Sequence, residues 1–260
     1  MKLVIFAGGV GSRLSEETAV KPKPMVEIGG RPMLWHIMKL YSHYGYKEFI
    51  ICLGYKGHMI KEWFANYVLH NSDVTIDFVA NRVEMHARRT EDWKVTLVDT
   101  GADVGTATRL ARVRPYVLNE EFMLTYGDGV SDVDIGALVA FHRSHDKVST
   151  VTAVQPEGRF GSLSFHDDAK SVRHFGEKID HHGHWINGGF FVLRPEVFRY
   201  LPETDVMWER EPLEHLAKDS QLVAYKHPGF WKAMDTLRDK NYLEDLWQRP
   251  DPPWKVWSDV

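Results

Sequence analysis

The chain has 260 residues, 43% hydrophobic and 26% charged, with a net charge of −4 when histidine is counted as neutral. That length can bury a sizeable core in one large or two small domains. The mildly acidic balance excludes a general attraction to nucleic acid or anionic membrane. The lone cysteine, Cys52, excludes a disulfide framework, and no apolar run reaches membrane-spanning length. The first residues lead directly into an apolar strand without a signal-like segment, so a cytoplasmic protein is expected.

In chain order, residues 3–6 (Leu-Val-Ile-Phe) predict a buried strand that opens into Gly8, Gly9 and Gly11. Glycines there let main-chain N–H groups come close to phosphate oxygens. Arg13 follows, then Lys21 and Lys23 beside Pro22 and Pro24, so the stretch reads as a triphosphate cradle supplied with fixed cations. A dinucleotide fingerprint would need glycine at Leu14 and an acid closing the second strand. A P-loop would need lysine after Gly11, where Ser12-Arg13 stands. A glycine turn with solvated charges is the bland alternative.

Pro32 opens a predicted helix to about Tyr44, with Leu34, Ile37, Met38 and Tyr41 on one face. A second strand over 48–53 makes Cys52 inert core. A helix over 58–67 carries Ile60, Trp63, Phe64 and Tyr67 on one face. Strands are predicted at 74–79, 94–99, 122–126 and 148–154, and helices at 106–112 and 134–145. Beyond these come strands at 162–166, 171–176, 186–193 and 222–226 and helices at 212–218 and 237–247. This alternation predicts an α/β fold: a mostly parallel sheet covered by helices on both faces, with a smaller mixed-sheet extension. We expect one domain over 1–247 and an extended tail over 248–260. Trp254 and Trp257 in that tail suggest a contact with another subunit, against the alternative that it folds back onto its own.

Ligands of such sheets bind beyond the carboxyl ends of strands, so the glycine loop and the turn Tyr126-Gly127-Asp128-Gly129 should share one edge. Asp128, between two glycines, has room to hold a metal or can be a plain turn residue. Magnesium prefers one or two carboxylates plus substrate phosphates. Asp235 is the natural second carboxylate, although its place just before a helix favours a simple N-cap. Asp132 and Asp134 read as turn or cap residues. The run His181-His182-Gly183-His184 lies in a polar turn and lacks metal-ligand spacing. No nucleophile elbow or reactive cysteine is evident, which fits direct phosphoryl transfer.

The glycine loop, KPKPMVEIGGRPMLWHIM, TYGDGVSDVDI, WINGGFFVL, WEREPLEHLA and HPGFWKAMDTLRD together resemble the sugar-1-phosphate nucleotidyltransferases, in particular their cytidylyltransferase branch. The resemblance spans nearly the whole chain. It implies a Rossmann-like nucleotide-diphospho-sugar transferase fold and Mg2+-dependent transfer of a cytidylyl group from CTP to glucose 1-phosphate. It further implies that Phe6, Ala7, Gly8, Gly9, Val10, Gly11, Ser12, Arg13 and Lys23 wrap the nucleotide, with Val104, Arg109 and Gly127 as further contacts. Asp128 and Asp235 would hold the metal, reversing the cap preference for Asp235. Glu177, Lys178, Asn187 and Gly188 would take the sugar phosphate. Arg13, Lys23, Asp128 and Asp235 are the implied catalytic set. A cytoplasmic homo-oligomer, with a hexamer as one form, and a product used in deoxysugar and O-antigen synthesis complete the implication.

The pattern departs from the family at Phe6, Ser12 and Ile179, and residues 102–108 are less familiar. Transfer from UTP or dTTP, another sugar 1-phosphate, or a silent sugar-nucleotide sensor remain the rivals. The four intact site residues oppose the sensor, and a dehydrogenase fails at Leu14.

Overall fold

Three apolar runs and a half-exposed edge strand set the central sheet. In the computed structural model, which describes residues 1–88, 90–155, 162–165, 171–176 and 185–258, β1 (Lys2–Ala7), β2 (Glu48–Leu53), β3 (Lys94–Asp99) and β4 (Phe122–Tyr126) lie side by side. The order is β4-β1-β2-β3, all parallel. Leu3, Val4 and Ile5 are fully buried, as are Ile51 and Cys52. Strands covered on both faces need such unbroken apolar runs. Burial pushes the Cys52 thiol up to about 12, so it is inert core as expected.

The sheet continues past β4 with antiparallel strands. β5 (Ser149–Val154) is bordered on one side by β6 (Ile186–Asn187) and β7 (Phe191–Leu193), and on the other by β8 (Leu222–His227), to which it runs parallel. β7 joins this half to β4. The single strand expected over 186–193 is therefore interrupted. Gly189 and Phe190 take positive φ values of 76° and 48°, and the Asn187 side chain accepts the Gly189 N–H at 2.8 Å.

A second departure concerns residues 74–79, expected as a sheet strand. Ser72–Asp77 pairs only with Arg82–Arg88, as a separate antiparallel hairpin. A parallel strand needs a crossover of about a dozen residues, and the short link here can close only a hairpin. Ile76, Val83 and Met85 are exposed, as are Phe78 and Val79 at the turn. Residues 162–165 and 172–176 form another small antiparallel ladder.

Met33–His43 and Gly57–His70 pack on one face of the sheet, in the core cluster that also takes Leu243, Leu246, Trp254 and Trp257. The expectation that the tail tryptophans reach another subunit is thereby corrected. Trp254 and Trp257 are 1% and 6% exposed within their own chain. Trp254 stacks on Trp247 with ring centres 5.7 Å apart, and Trp257 meets Trp35 edge-on at 5.8 Å. His36 sits among these rings, and burial lowers its pKa to about 4. Among the described residues no helix is long and apolar enough to cross a membrane.

Candidate active site

Because β1 to β4 are parallel, their carboxyl ends share one edge. The glycine loop, Gly54, the 100–105 loop and Gly127-Asp128 all emerge there. β7 is antiparallel to β4, so the Asn187–Phe190 turn that precedes it reaches the same edge. Two adjoining clefts open at that edge. One, of about 310 Å³, is lined by residues that include Phe6, Gly11, Arg13, Lys23, Gly127 and Asp128. The other, of about 540 Å³, lies between Gly8–Val10, Ala102–Thr106 and Asp205–Met207. Phe6, Gly9, Thr106 and Met207 border both. A separate cleft of about 600 Å³ near Val148, Tyr200 and Lys218 contains none of the candidate site residues.

At the floor of the first cleft the chain brings four charged residues together. Pro22 is extended and starts the 3-10 turn Lys23–Met25, which buries the stem of Lys23 and aims its Nζ inward. That nitrogen lies 2.7 Å from an Asp128 oxygen and 2.8 Å from an Asp235 oxygen. Arg13 reaches the same Asp235 oxygen at 2.9 Å from an exposed position. Burial lowers the Lys23 pKa, but the two carboxylates outweigh it and the net shift is upward, so the ammonium is kept.

Asp235 arrives beside Asp128 through a short ladder that sequence reading missed. Gly129–Ser131 pairs antiparallel with Trp231–Ala233, and the Met234 N–H donates to the Asp128 carbonyl at 2.8 Å. Asp235 is not the helix cap. Thr236 caps Leu237–Trp247, in a capping box with Asp239, which leaves the Asp235 carboxylate for the cleft. Asp134 does cap Ile135–Arg143, whereas Asp132 instead takes a bond from His227 at 2.8 Å. Lys21 does not join the site, because it pairs with Glu27 at 3.0 Å. Two carboxylates facing one nitrogen are a hard-oxygen donor pair that fits a magnesium ion completed by phosphate and water.

Arg109, expected to touch the nucleotide, is 3% exposed. Its guanidinium donates to the carbonyls of Gly8, Leu53, Gly101 and Ala102 and to the Thr100 hydroxyl. It thus staples the glycine loop to the 100–105 loop. A Cβ at position 8 would lie 2.1 Å from its Nη1, so any larger residue there would displace the guanidinium from these bonds. Val104 lines the second cleft, and Val10 and Ser12 are exposed along its rim and that of the first. Thr18 closes the glycine loop by donating to the Gly11 carbonyl at 3.1 Å, a contact no motif announces. Asn187 donates to the Tyr126 phenol at 3.2 Å, and the Gly188 carbonyl accepts the Trp231 indole N–H. Glu177, Lys178 and the His181–His184 run lie outside the described residues.

Comparison with known proteins agrees with this geometry. The nucleotidyl transferase family model matches residues 2–260. The chain is 58% identical over 259 residues to the glucose-1-phosphate cytidylyltransferase of Salmonella typhi, covering 99% of this chain and 100% of that one. It is 44% identical over 258 residues to a probable glucose-1-phosphate cytidylyltransferase of Bacillus subtilis, with the same coverage. Among solved structures, HddC from Yersinia pseudotuberculosis superposes with a TM-score of 0.66 at 22% identity, covering 95% of this chain and 99% of that one. A UDP-glucose pyrophosphorylase complexed with UDP-glucose gives 0.64 at 16% identity over 95% and 97%. These two share the fold. With a glycine loop at the carboxyl edge of a parallel sheet and a family match along its whole length, this chain belongs to the nucleotidyl transferase family.

Proposed function

We propose that the chain catalyses the reaction of CTP with α-D-glucose 1-phosphate to give CDP-glucose and pyrophosphate. The observation that carries the chemistry is the meeting of Arg13, Lys23, Asp128 and Asp235 beside the glycine loop. The choice of CTP and glucose 1-phosphate is supported by the full-length identity to cytidylyltransferases. A phosphate oxygen of the sugar attacks the α-phosphorus of CTP. The bond from that phosphorus to the bridging oxygen breaks in line, and pyrophosphate leaves with the electron pair.

The glycine loop supplies main-chain donors to the triphosphate, while Arg13 and Lys23 offset charge that develops on the leaving group. Asp128 and Asp235 would hold Mg2+, which when bound neutralises phosphate charge. Asn187, Gly188, Glu177 and Lys178 are assigned to the sugar phosphate. Phe6 to Ser12 with Val104 and Gly127 are assigned to the nucleotide, and Arg109 to the same site as its staple. We assign residues 1–247 to the catalytic domain and 248–260 to its tail, place the enzyme in the cytoplasm and assign its product to deoxysugar and O-antigen synthesis. Self-association into a homo-oligomer is supported by the exposed apolar hairpin with Phe78 and Val79, and light scattering measures it.

A pyrophosphate-release screen crossing four nucleoside triphosphates with several sugar 1-phosphates tests the activity. CTP with glucose 1-phosphate is expected to give the highest kcat/KM, and EDTA to abolish turnover. A tenfold preference for UTP or dTTP would defeat the cytidylyl reading.

A further inference from the structure

Residues 205–209 lead into the helix Glu211–Lys218, and no glycine, cation or metal-ligand pattern marks them. Asp205, Val206 and Met207 nevertheless form the outer wall of the nucleotide cleft, some hundred residues away in sequence from the loop they face. Asp205 Oδ1 accepts both the Gly105 N–H at 2.7 Å and the Thr108 hydroxyl at 2.5 Å. The Thr108 and Gly105 bonds hold this carboxyl below the usual carboxylate range. The Val206 carbonyl accepts the Ala107 N–H at 3.2 Å. The Thr106 hydroxyl accepts the Trp208 N–H at 2.7 Å and donates to Glu209 at 2.9 Å. The fit is close enough that a Cβ at Gly105 would lie 2.2 Å from the Val206 carbonyl oxygen.

Tyr126, which lines the first cleft with Thr106, accepts from Asn187 at 3.2 Å. Arg109 holds the 100–105 loop from within, and residues 205–209 hold it from without. Ordering a loop costs conformational entropy. A loop latched in the free protein has met that cost before the ligand arrives.

We propose that residues 205–209 are a clasp, with Asp205 a positioning residue for the nucleotide loop and Glu209 a second one that holds the same loop through the Thr106 hydroxyl. This rests on reading the clefts as the nucleotide and sugar sites. Asp205→Ala is expected to raise both the calorimetric Kd for CTP in excess Mg2+ and the KM for CTP by about tenfold. Its kcat should stay within about threefold, and its KM for glucose 1-phosphate should be unchanged. Asp205→Asn should bind CTP like wild type, because both bonds fall on one oxygen that an amide reproduces. Glu209→Ala, which removes the acceptor of the Thr106 hydroxyl, should likewise raise the KM for CTP and leave that for glucose 1-phosphate unchanged.

Wild-type CTP affinity in Asp205→Ala, or an Asp205→Asn as impaired as the alanine variant, would overturn the clasp. A wild-type KM for CTP in Glu209→Ala would overturn the part of the clasp that runs through Glu209. A wild-type protein that binds no CTP would instead overturn the reading of the clefts. Melting temperatures check the fold, and should Asp205→Ala not fold, Thr108→Val removes one of the same two bonds and is judged by the same CTP affinity.

Discussion

Lys23 is the residue on which the site's electrostatics turn, since its one nitrogen faces both acidic side chains. Replacing either acid with its amide removes a carboxylate proposed to hold the metal while the other still pairs the lysine. Asp128→Asn and Asp235→Asn should therefore each lower kcat by about 10²–10³-fold, on the scale of losing one transition-state stabiliser. Both should melt within a few degrees of wild type, and near-normal turnover at limiting Mg2+ in either would remove it from the metal site. Lys23→Met should raise the KM for CTP about tenfold or more, the size of a lost charge-assisted bond of ~1.5–3 kcal/mol, and slow the chemical step. Lys178→Met should instead raise the KM for glucose 1-phosphate and spare CTP. Calorimetry giving the opposite pattern would exchange the two sides of the site.

At the scale of elements, the tail and the helix Met33–His43 meet around His36. The His36 Nε2–H donates to the Ile28 carbonyl at 2.9 Å, and its Nδ1 accepts the Trp254 indole N–H at 3.3 Å. Only the neutral ring can do both. With its pKa lowered from 6.5 to about 4, the unfolded state takes up a proton first. Stability is thus complete above about pH 6.5 and falls as pH drops from there towards 4. His36→Gln keeps a donor and an acceptor but cannot titrate, so denaturant titrations between pH 4.5 and 7 should show a shallower acid slope. His142, fully buried and also lowered to about 4, keeps that slope from vanishing. An unchanged slope would show that His36 does not set it. Truncating a buried tryptophan costs about 3–5 kcal/mol. Trp254→Ala should then lower Tm by roughly 10 °C, at about 2–4 °C per kcal/mol for a chain of this size. A loss of 2 °C or less would mean that the tail is not part of the core.

For the whole molecule, both clefts lie where separate elements converge, so ligand binding and global stability are linked. At a hundred times its Kd, CTP with Mg2+ should add about 2.7 kcal/mol and raise Tm by several degrees, read by scanning fluorimetry. EDTA should remove most of that rise if phosphate binding runs through the metal. A rise that survives EDTA intact would place the triphosphate on the protein cations alone.

Much of this was legible in the sequence because it depends on neighbours along the chain. The apolar runs at 3–6, 48–53 and 122–126 can be satisfied only in a buried parallel sheet, and glycine after the first run is a local steric requirement. The shared edge for the glycine loop and Asp128 follows from that topology. Contacts across sequence distance were not legible. Whether Asp235 caps a helix or faces Asp128 was decided by the ladder between 129–131 and 231–233, and by Thr236 taking the cap. Lys21 and Lys23 look alike in sequence, yet the 3-10 turn sends one to Glu27 and the other into the cleft. Arg109 became a staple, and Trp254 and Trp257 became core, because buried donors and large apolar rings take the nearest partners that folding brings. Those partners are set by how the sheet and helices pack, which local sequence spacing does not encode.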